Sequence, residues 1–121
     1  MLAGGVARTG WVMIDWDRVR QLRDEIGGED FSEVVSLFLA EADEVVARLN
    51  LEGGAKALAA DLHFLKGAAL NLGFDTLSAL CQEGERRACD GDLSVDLNAV
   101  AEAYRRARAA FESGAAKALA A

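Results

Sequence analysis

The sequence predicts an all-α protein, an antiparallel up-down-up-down four-helix bundle with a short N-terminal cap helix. The 121 residues contain no proline, the main breaker of helix interiors, so long uninterrupted helices are permitted. Apolar residues recur in five segments at alternating steps of four and three, which is the spacing of a core-facing helical stripe. Short glycine-containing breaks separate the segments, and short connections favour antiparallel neighbours.

A chain of this length is the size of one domain with a single hydrophobic core. We predict a disordered segment over residues 1–14, because Met1–Gly10 is rich in small residues. The helical bundle is predicted over residues 15–113. Residues 114–121 are helix-prone but low in complexity, and we expect this tail to fray.

The first two helices have sequence signals at their ends. Asp15 is predicted to be the N-cap of a first helix that ends at Ile26, before Gly27-Gly28. Asp30 is predicted to cap the second helix, with Glu33 three residues later as an acidic variant of the capping box. The core stripe of the second helix consists of Phe31, Val35, Phe38, Ala42, Val45 and Leu49.

Glycines also bound the third and fourth helices. Gly53-Gly54 separates the second helix from the third, and Gly73 closes the third in the manner of a C′ glycine. The core stripe of the third helix consists of Leu58, Leu62, Leu65, Ala69 and Leu72. Asp75 or Thr76 is expected to cap the fourth helix, which ends at Gly91. The inward face of the fourth helix consists of Leu77, Leu80, Cys81, Gly84 and Ala88.

The fifth helix is predicted to begin near Ser94–Asp96. Its contact side consists of Leu97, Val100, Ala101, Tyr104, Ala107, Arg108 and Phe111. The helix supplies the last apolar stripe of the predicted bundle.

The charge and hydropathy of the chain narrow the classes of partner. The net charge is −7 at pH 7, which argues against nucleic acid, because binding to phosphates requires a basic patch. An anionic membrane surface is disfavoured for the same reason. No apolar run is as long as a membrane span, and nothing at the N-terminus resembles a secretory signal. We therefore expect a cytoplasmic protein.

We expect no cofactor in this chain. Cys81 and Cys89 are eight residues apart on one predicted helix, roughly 12 Å along its axis, which is too far for a disulfide. A single histidine and the lack of a Cys-x-x-Cys pair leave no zinc ligand set. No Walker or dinucleotide glycine motif is present, so the chain should neither bind ATP nor phosphorylate itself.

The single histidine, His63, lies on the third helix but not on its core stripe. At about 100° per residue, it lies roughly 140° from the centre of that stripe. Its neighbours on the same side include Ala59, Ala60, Lys66 and Gly67. A titratable ring on an open face, beside small residues and an ammonium group, suits a nucleophile that another protein must reach.

The hairpin of the third and fourth helices predicts what lies opposite the histidine. Mirroring His63 across a turn centred near Phe74 leads to a position near Glu85. Gln82, Glu85 and Arg86 are therefore candidates for the facing edge of the fourth helix.

The run HFLKGAALNLG, which begins at His63, resembles the signature of the histidine-containing phosphotransfer (HPt) family of two-component phosphorelays. In that family a histidine is followed three residues later by lysine and then directly by glycine, as at His63, Lys66 and Gly67. A further glycine closes the helix, as at Gly73. The resemblance covers residues from about 15 to 111, because the hydrophobic spacing of the five helices fits the family's bundle.

The resemblance implies a phosphoacceptor role for His63 through its Nε2 atom. The histidine would take a phosphoryl group from an aspartyl phosphate on one receiver domain and pass it to an aspartate on another. Lys66 would stabilise the charge of the phosphoryl oxygens, and Gly67 would leave room for the phosphohistidine and for the partner. The Mg²⁺ ion of the reaction is expected in the acidic pocket of the receiver.

The sequence departs from the family's pattern in two ways. Ala68-Ala69 stands where small hydroxyl residues are often found, whose hydroxyls can bond to nearby backbone or to a histidine nitrogen. Glu85 stands where glutamine is frequent. We expect Glu85 to orient the histidine from the opposite ring nitrogen or to be peripheral.

A receiver-binding surface is implied around His63. Its expected members are Lys56, Ala59, Ala60, Leu70, Gln82, Glu85 and Arg86. Lys56 lies two turns before the histidine on the same face and could steer an acidic receiver pocket. Leu70 is either an exposed apolar contact for the partner or partly buried against a neighbouring helix. Phe64 lies on the opposite flank of the core stripe from His63 and is predicted to pack.

Three functional interpretations remain open. The first is a monomeric HPt phosphocarrier without kinase activity of its own, which binds receiver domains of response regulators, a hybrid histidine kinase or both. The second is the phosphoacceptor domain of a chemotaxis-type histidine kinase, excised from a longer chain. The third is a non-catalytic helical adaptor in which the histidine is incidental. The short chain with its own start methionine favours the first.

Overall fold

A computed structural model describes residues 14–119, and within them the protein is all-helical, as the sequence predicts. The five helices are α1 (Trp16–Ile26), α2 (Gly28–Arg48), α3 (Ala55–Leu72), α4 (Asp75–Cys89) and α5 (Leu97–Ala118). No β-strand occurs in these residues, although Ile14 forms an isolated antiparallel bridge with Phe74. The rest of the segment predicted to be disordered lies outside the described residues.

Three of the predicted helix ends are confirmed. The Asp15 carboxylate accepts a hydrogen bond from the backbone N–H of Arg18 at 3.1 Å and caps α1. The Asp96 carboxylate accepts one from Ala99 at 3.0 Å and caps α5. Gly73 follows α3 with φ of 73°, the left-handed conformation of a C′ glycine.

The predicted N-cap of α2 at Asp30 is wrong. The N-cap is Gly27, three residues earlier, and the helix begins at Gly28. Gly27 has φ of 101°, which lets the chain leave α1 and enter α2 within one residue. Asp30 instead lies with Glu29 in the first turn of α2, where carboxylates favour the positive end of the helix dipole.

The predicted cap of α4 at Asp75 or Thr76 is also wrong. The N-cap is Phe74, whose side chain is 1% exposed and makes no capping hydrogen bond. Its ring packs edge-on against Phe111, with centroids 5.9 Å apart. Burial of this side chain therefore sets where the fourth helix starts.

The last helix continues past the predicted boundary at residue 113 and includes Gly114. A Cβ at Gly114 would come within 3.0 Å of the Trp16 ring, so glycine permits α1 and α5 to approach closely. The Arg20 and Arg23 side chains of α1 donate hydrogen bonds to backbone carbonyls at the end of α5. These contacts satisfy carbonyls that a helix C-terminus otherwise leaves unpaired.

One hydrophobic core joins all five helices. The five predicted core residues of α3 are each 1% exposed or less. Complete burial of such leucine side chains contributes roughly 1.5–3 kcal/mol each. Two residues predicted on the contact side of α5 are not in the core: Ala101 is half-buried, and Arg108 pairs with Asp43 of α2 at 3.1 Å.

The helices are packed unequally. The most extensive contact is between α3 and α4, followed by α4 with α5. Smaller contacts join α1 to α2 and α3, and α2 to α3 and α5. In residues 14–119, no helix is both long and apolar enough to cross a membrane.

Candidate functional site

The α3–α4 hairpin fixes the geometry around His63. Its connection consists of Gly73 and Phe74 only. The backbone carbonyl of Gly73 accepts a hydrogen bond from Asp15 at 2.7 Å, and a Cβ at Gly73 would lie 2.5 Å from the Asp15 carbonyl oxygen. Further along the hairpin, a Cβ at Gly84 would lie 2.9 Å from Leu62, so the two helices are in close contact beside the histidine.

His63 is exposed, and its ring is held at one nitrogen. Its side chain is 69% exposed, and Nδ1 lies 2.8 Å from Oε2 of Glu85 on α4. The other carboxylate oxygen of Glu85 lies 2.8 Å from Nζ of Lys66. Glu85 therefore bridges the imidazole and the ammonium group that the sequence places one helical turn apart.

The ionisation of Glu85 determines the tautomer of the neutral ring. The hydrogen bond from Lys66 and that from His63 lower the pKa of the carboxyl, against the opposing effect of its burial. An ionised carboxylate can only accept hydrogen bonds, so Nδ1 of His63 must be the donor. In the neutral ring Nε2 then holds the free lone pair, and this edge of an exposed side chain is the nucleophilic one.

Cys81 lies one turn before Glu85 on α4 and is fully buried. Burial raises the pKa of its thiol to about 12, and the negative charge of Glu85 adds to the effect. The thiol is therefore neutral and acts as an apolar core group beneath the ion pair. Cys89 is exposed, and both cysteines are free.

Gly67 leaves open space beside the histidine. A Cβ at this position would meet no atom within 4 Å, so the glycine is not required for packing within residues 14–119. By contrast, Ala68 and Ala69 are buried in the core. The side chain that holds the histidine ring is Glu85.

The predicted partner-binding residues lie on α3 and α4 and differ in exposure. Lys56, Ala60, Leu70, Gln82 and Arg86 are exposed, whereas Ala59 and Glu85 are partly buried. Leu70 is 55% exposed and therefore not buried against a neighbouring helix, while its contact with a partner stays a prediction. Arg86 is not a free cation, because it pairs with Glu83 at 2.7 Å. That pairing, together with Arg87, lowers the pKa of Glu83 to about 2.

Two residues of this region were missed or misjudged from the sequence. Phe64 was expected to pack, yet it is 37% exposed beside the histidine. Arg18 reaches from α1 to the end of α3, where it donates to the Asn71 side chain at 2.8 Å and to the Leu70 carbonyl at 3.4 Å. These contacts span more than fifty residues, and no local pattern marks Arg18 for them.

Comparison with known proteins gives one match. The family model described as the Hpt domain matches residues 33–115, which is more than two thirds of the chain. The matched region contains the α3–α4 hairpin and the His63–Glu85–Lys66 group. The searches of curated proteins and of solved structures found no match. Residues 14–119 contain no cluster of three or more histidine, cysteine or acidic side chains that could hold a metal ion.

Proposed function

This chain belongs to the Hpt domain family, whose members transfer phosphoryl groups in two-component signalling, and we propose that it relays a phosphoryl group between receiver-domain aspartates through His63. The carrier would be a phosphohistidine. We propose that the chain has no kinase activity of its own. The observation that supports this function best is the 2.8 Å contact between His63 Nδ1 and Glu85, because it leaves Nε2 as the free nucleophile.

In the proposed forward step, the Nε2 lone pair attacks the phosphorus of an aspartyl phosphate. The N–P bond forms as the P–O bond to the aspartate breaks, and the carboxylate leaves with the electron pair. The proton on Nδ1 stays on the ring, where Glu85 accepts its hydrogen bond and stabilises the positive charge that develops. In the reverse step, an aspartate of a second receiver attacks the phosphorus and the N–P bond breaks.

Lys66 is proposed to stabilise the phosphoryl charge. Its ammonium group is paired with Glu85 in the free protein, so it is already fixed one turn from the histidine. Phosphorylation brings new negative charge to the same side of the helix, and an ammonium group can contact several anionic oxygens. Glu85 and Lys66 thus have distinct proposed roles, on the ring and on the phosphoryl group.

The proposed partners are receiver domains of response regulators, a hybrid histidine kinase or both. Their docking surface on this chain comprises the open space at Gly67, the exposed Leu70 and the other exposed residues around His63. The Mg²⁺ ion is proposed to belong to the receiver. We further propose that the carrier is a monomer and acts in the cytoplasm.

The arrangement of helices that we propose is an antiparallel up-down-up-down bundle of α2 to α5, with α1 as a cap. The two-residue connection of α3 and α4 and their extensive contact support a hairpin there. Contacts of α2 with α3 and α5, and of α4 with α5, support closure into a bundle. The shorter α1 contacts α2 and α3.

The decisive experiment is intact-mass spectrometry after incubation with acetyl phosphate and, separately, with phosphorylated receiver domains. We expect a receiver-dependent gain of one phosphoryl group that is labile in acid, as a P–N bond is, and absent in His63→Gln. Far-UV circular dichroism of the variant controls for folding. Phosphorylation by a separated kinase core but by no receiver would favour the second interpretation, a phosphoacceptor domain of a chemotaxis-type histidine kinase. Failure with both would favour the adaptor.

A further inference from the structure

Arg18 of α1 binds the last turn of α3, the helix that carries His63. Its guanidinium group donates a hydrogen bond to the side-chain oxygen of Asn71 at 2.8 Å and one to the backbone carbonyl of Leu70 at 3.4 Å. The Leu70 carbonyl is among the last four of α3, which have no hydrogen-bond partner within the helix. Arg18 therefore satisfies the end of α3 from another helix.

Arg18 is itself held in place by its own helix. Its side chain is only 26% exposed, donates to Oε1 of Gln21 at 3.1 Å and pairs with Glu25 at 3.7 Å. The planar guanidinium group thus makes its two contacts with α3 from a fixed position, with little side-chain freedom left to lose.

The contact with Arg18 also sets the orientation of the Asn71 amide. The amide oxygen accepts the hydrogen bond from Arg18, which leaves the amide nitrogen to donate to the backbone carbonyl of Gly67 at 3.1 Å. In an α-helix the same carbonyl also accepts the backbone N–H four residues later, which is that of Asn71. The Gly67 carbonyl therefore receives two hydrogen bonds from one residue.

Gly67 is the position of α3 that most needs such support. Glycine inside a helix costs roughly 1 kcal/mol relative to alanine, because its backbone has more freedom to lose. A side chain at this position would meet no atom within 4 Å, so packing does not hold the backbone here. The glycine turn (residues 67–70) begins directly after Lys66 and ends at the exposed Leu70, where the receiver is proposed to dock.

The helix that supplies Arg18 lies outside the residues that match the Hpt family model. The match begins at residue 33, whereas α1 ends at Ile26. The support of the glycine turn therefore comes from a part of this chain that the family model does not describe.

From this geometry we infer that Arg18 is a positioning residue of the phosphotransfer site, which acts through Asn71 to keep the glycine turn helical for the docked receiver. The inference rests on the proposed function. Neither side chain would touch the phosphoryl group. Without their hydrogen bonds the turn would open locally, and only the fraction of molecules with a closed turn could bind the receiver.

The test measures phosphoryl transfer from a phosphorylated receiver by quench-flow over a range of receiver concentrations. We expect Arg18→Ala and Asn71→Ala each to raise the half-saturating receiver concentration about three- to tenfold, because a smaller fraction is competent to bind. The limiting rate should change little, since Lys66 and Glu85 are retained. Hydrogen exchange of the backbone amides at residues 70 and 71 should be faster in both variants.

Arg23→Ala is the matched control. Arg23 also lies on α1, and it donates a hydrogen bond of 2.8 Å to the backbone carbonyl of Leu119 at the end of α5. Its replacement removes the same charge and a comparable contact from the same helix. The half-saturating concentration should stay within about twofold of the wild type, because a charge away from the docked turn contributes little. Far-UV circular dichroism confirms folding of each variant.

Asn71→Asp separates support of the glycine turn from attachment of α1. The carboxylate still accepts the hydrogen bond from Arg18, but it cannot donate to the Gly67 carbonyl. We expect this variant to show the same defect in receiver binding and the same faster amide exchange as Asn71→Ala. Labelling by acetyl phosphate should be equal in all variants, because a small donor requires no docked turn.

Three results would overturn the inference. Wild-type half-saturating concentrations in Arg18→Ala and Asn71→Asp would reject the positioning role and leave the proposed function intact. Equal increases in Arg18→Ala and Arg23→Ala would assign the effect to the general attachment of α1. If no receiver reacts even with the wild type, the proposed function fails and the positioning role fails with it.

Discussion

Glu85 accepts a hydrogen bond of 2.8 Å from Nδ1 of His63, across the α3–α4 hairpin and 22 residues along the chain. This contact connects the fold to the chemistry, because the hairpin connection and the close approach at Gly84 determine which α4 side chain meets the histidine. Which ring nitrogen of His63 is reactive therefore depends on Glu85 as well as on the histidine. Removal of the carboxylate should therefore change reactivity without changing access to the ring.

Glu85→Ala should slow phosphoryl transfer from a phosphorylated receiver, with receiver affinity little changed. A hydrogen bond that involves a charged group contributes about 1.5–3 kcal/mol, and its loss in the transition state corresponds to roughly a 10- to 100-fold slower step. Glu85→Gln keeps a neutral acceptor within reach and should show a smaller defect. Single-turnover quench-flow measures both rates. A Glu85→Ala variant as fast as the wild type would exclude the orienting role.

Lys66→Ala should also reduce the transfer rate, because the phosphoryl oxygens lose a nearby cation. We expect a defect of about tenfold, with partial recovery in Lys66→Arg, since arginine keeps the charge but not the shape of the ammonium group. Lys56→Ala removes the same charge two turns from His63 and is the matched control. Its effect should be smaller and should disappear at high salt, because isolated surface charges are screened. Equal defects in the two alanine variants would mean that Lys66 only attracts the partner through its charge and does not stabilise the phosphoryl group.

How far the sequence predicts this site depends on the range of the interactions. The stripe of α3 and the outward direction of His63 follow from local periodicity, and both appear in the structure. Glu85 could be placed near His63 because a tight hairpin relates the two positions by symmetry. The cap expected at Asp30 failed because Gly27, in the left-handed region, starts the helix earlier.

Features that depend on tertiary contacts could not be predicted from the sequence. Burial of Phe74 sets the start of α4, although two better capping residues follow it. Exposure of Phe64 depends on how far α2 lies from α3, which periodicity does not specify. Glu41 and Glu44 line a groove with Ala60 and Phe64 only because α2 packs beside α3.

Substitutions at Gly67 should separate stability from docking. Because a Cβ there meets nothing, Gly67→Ala should stabilise the helix by about 0.5–1 kcal/mol in urea denaturation. Gly67→Leu should also fold. It should slow phosphoryl transfer from receivers, because its side chain fills space proposed for the partner. Labelling by acetyl phosphate, a small donor, should be nearly unaffected. Normal receiver transfer in Gly67→Leu would show that the partner does not use this space.

Substitution of Gly73 in the hairpin connection should destabilise the protein by more than the cost of placing a side chain at a positive φ. Gly73→Ala combines a positive φ of 73° with a Cβ placed 2.5 Å from the Asp15 carbonyl oxygen. Gly91→Ala has a similar φ of 80° but meets no atom within 4 Å, so it measures the backbone cost alone, about 1 kcal/mol. We expect Gly73→Ala to destabilise the protein by at least about 1 kcal/mol more than Gly91→Ala in urea denaturation. Equal losses would mean that the contact with Asp15 relaxes without cost.

Glu85 should also make the stability of the bundle depend on pH. Lys66 and His63 lower its pKa in the folded state below the ordinary value of 4.5, so the unfolded chain takes up the proton first as the pH falls. The stabilisation is fully present above pH 4.5 and is lost as the pH falls through the lower folded-state pKa. The stability difference between wild type and Glu85→Gln should therefore shrink below pH 4.5. Urea denaturation at a series of pH values measures this difference. In a Lys66→Ala background the pH dependence of this stability difference should become smaller, because the hydrogen bond from Lys66 is the largest cause of the lowered pKa of Glu85. An unchanged pH dependence would assign it to other carboxylates.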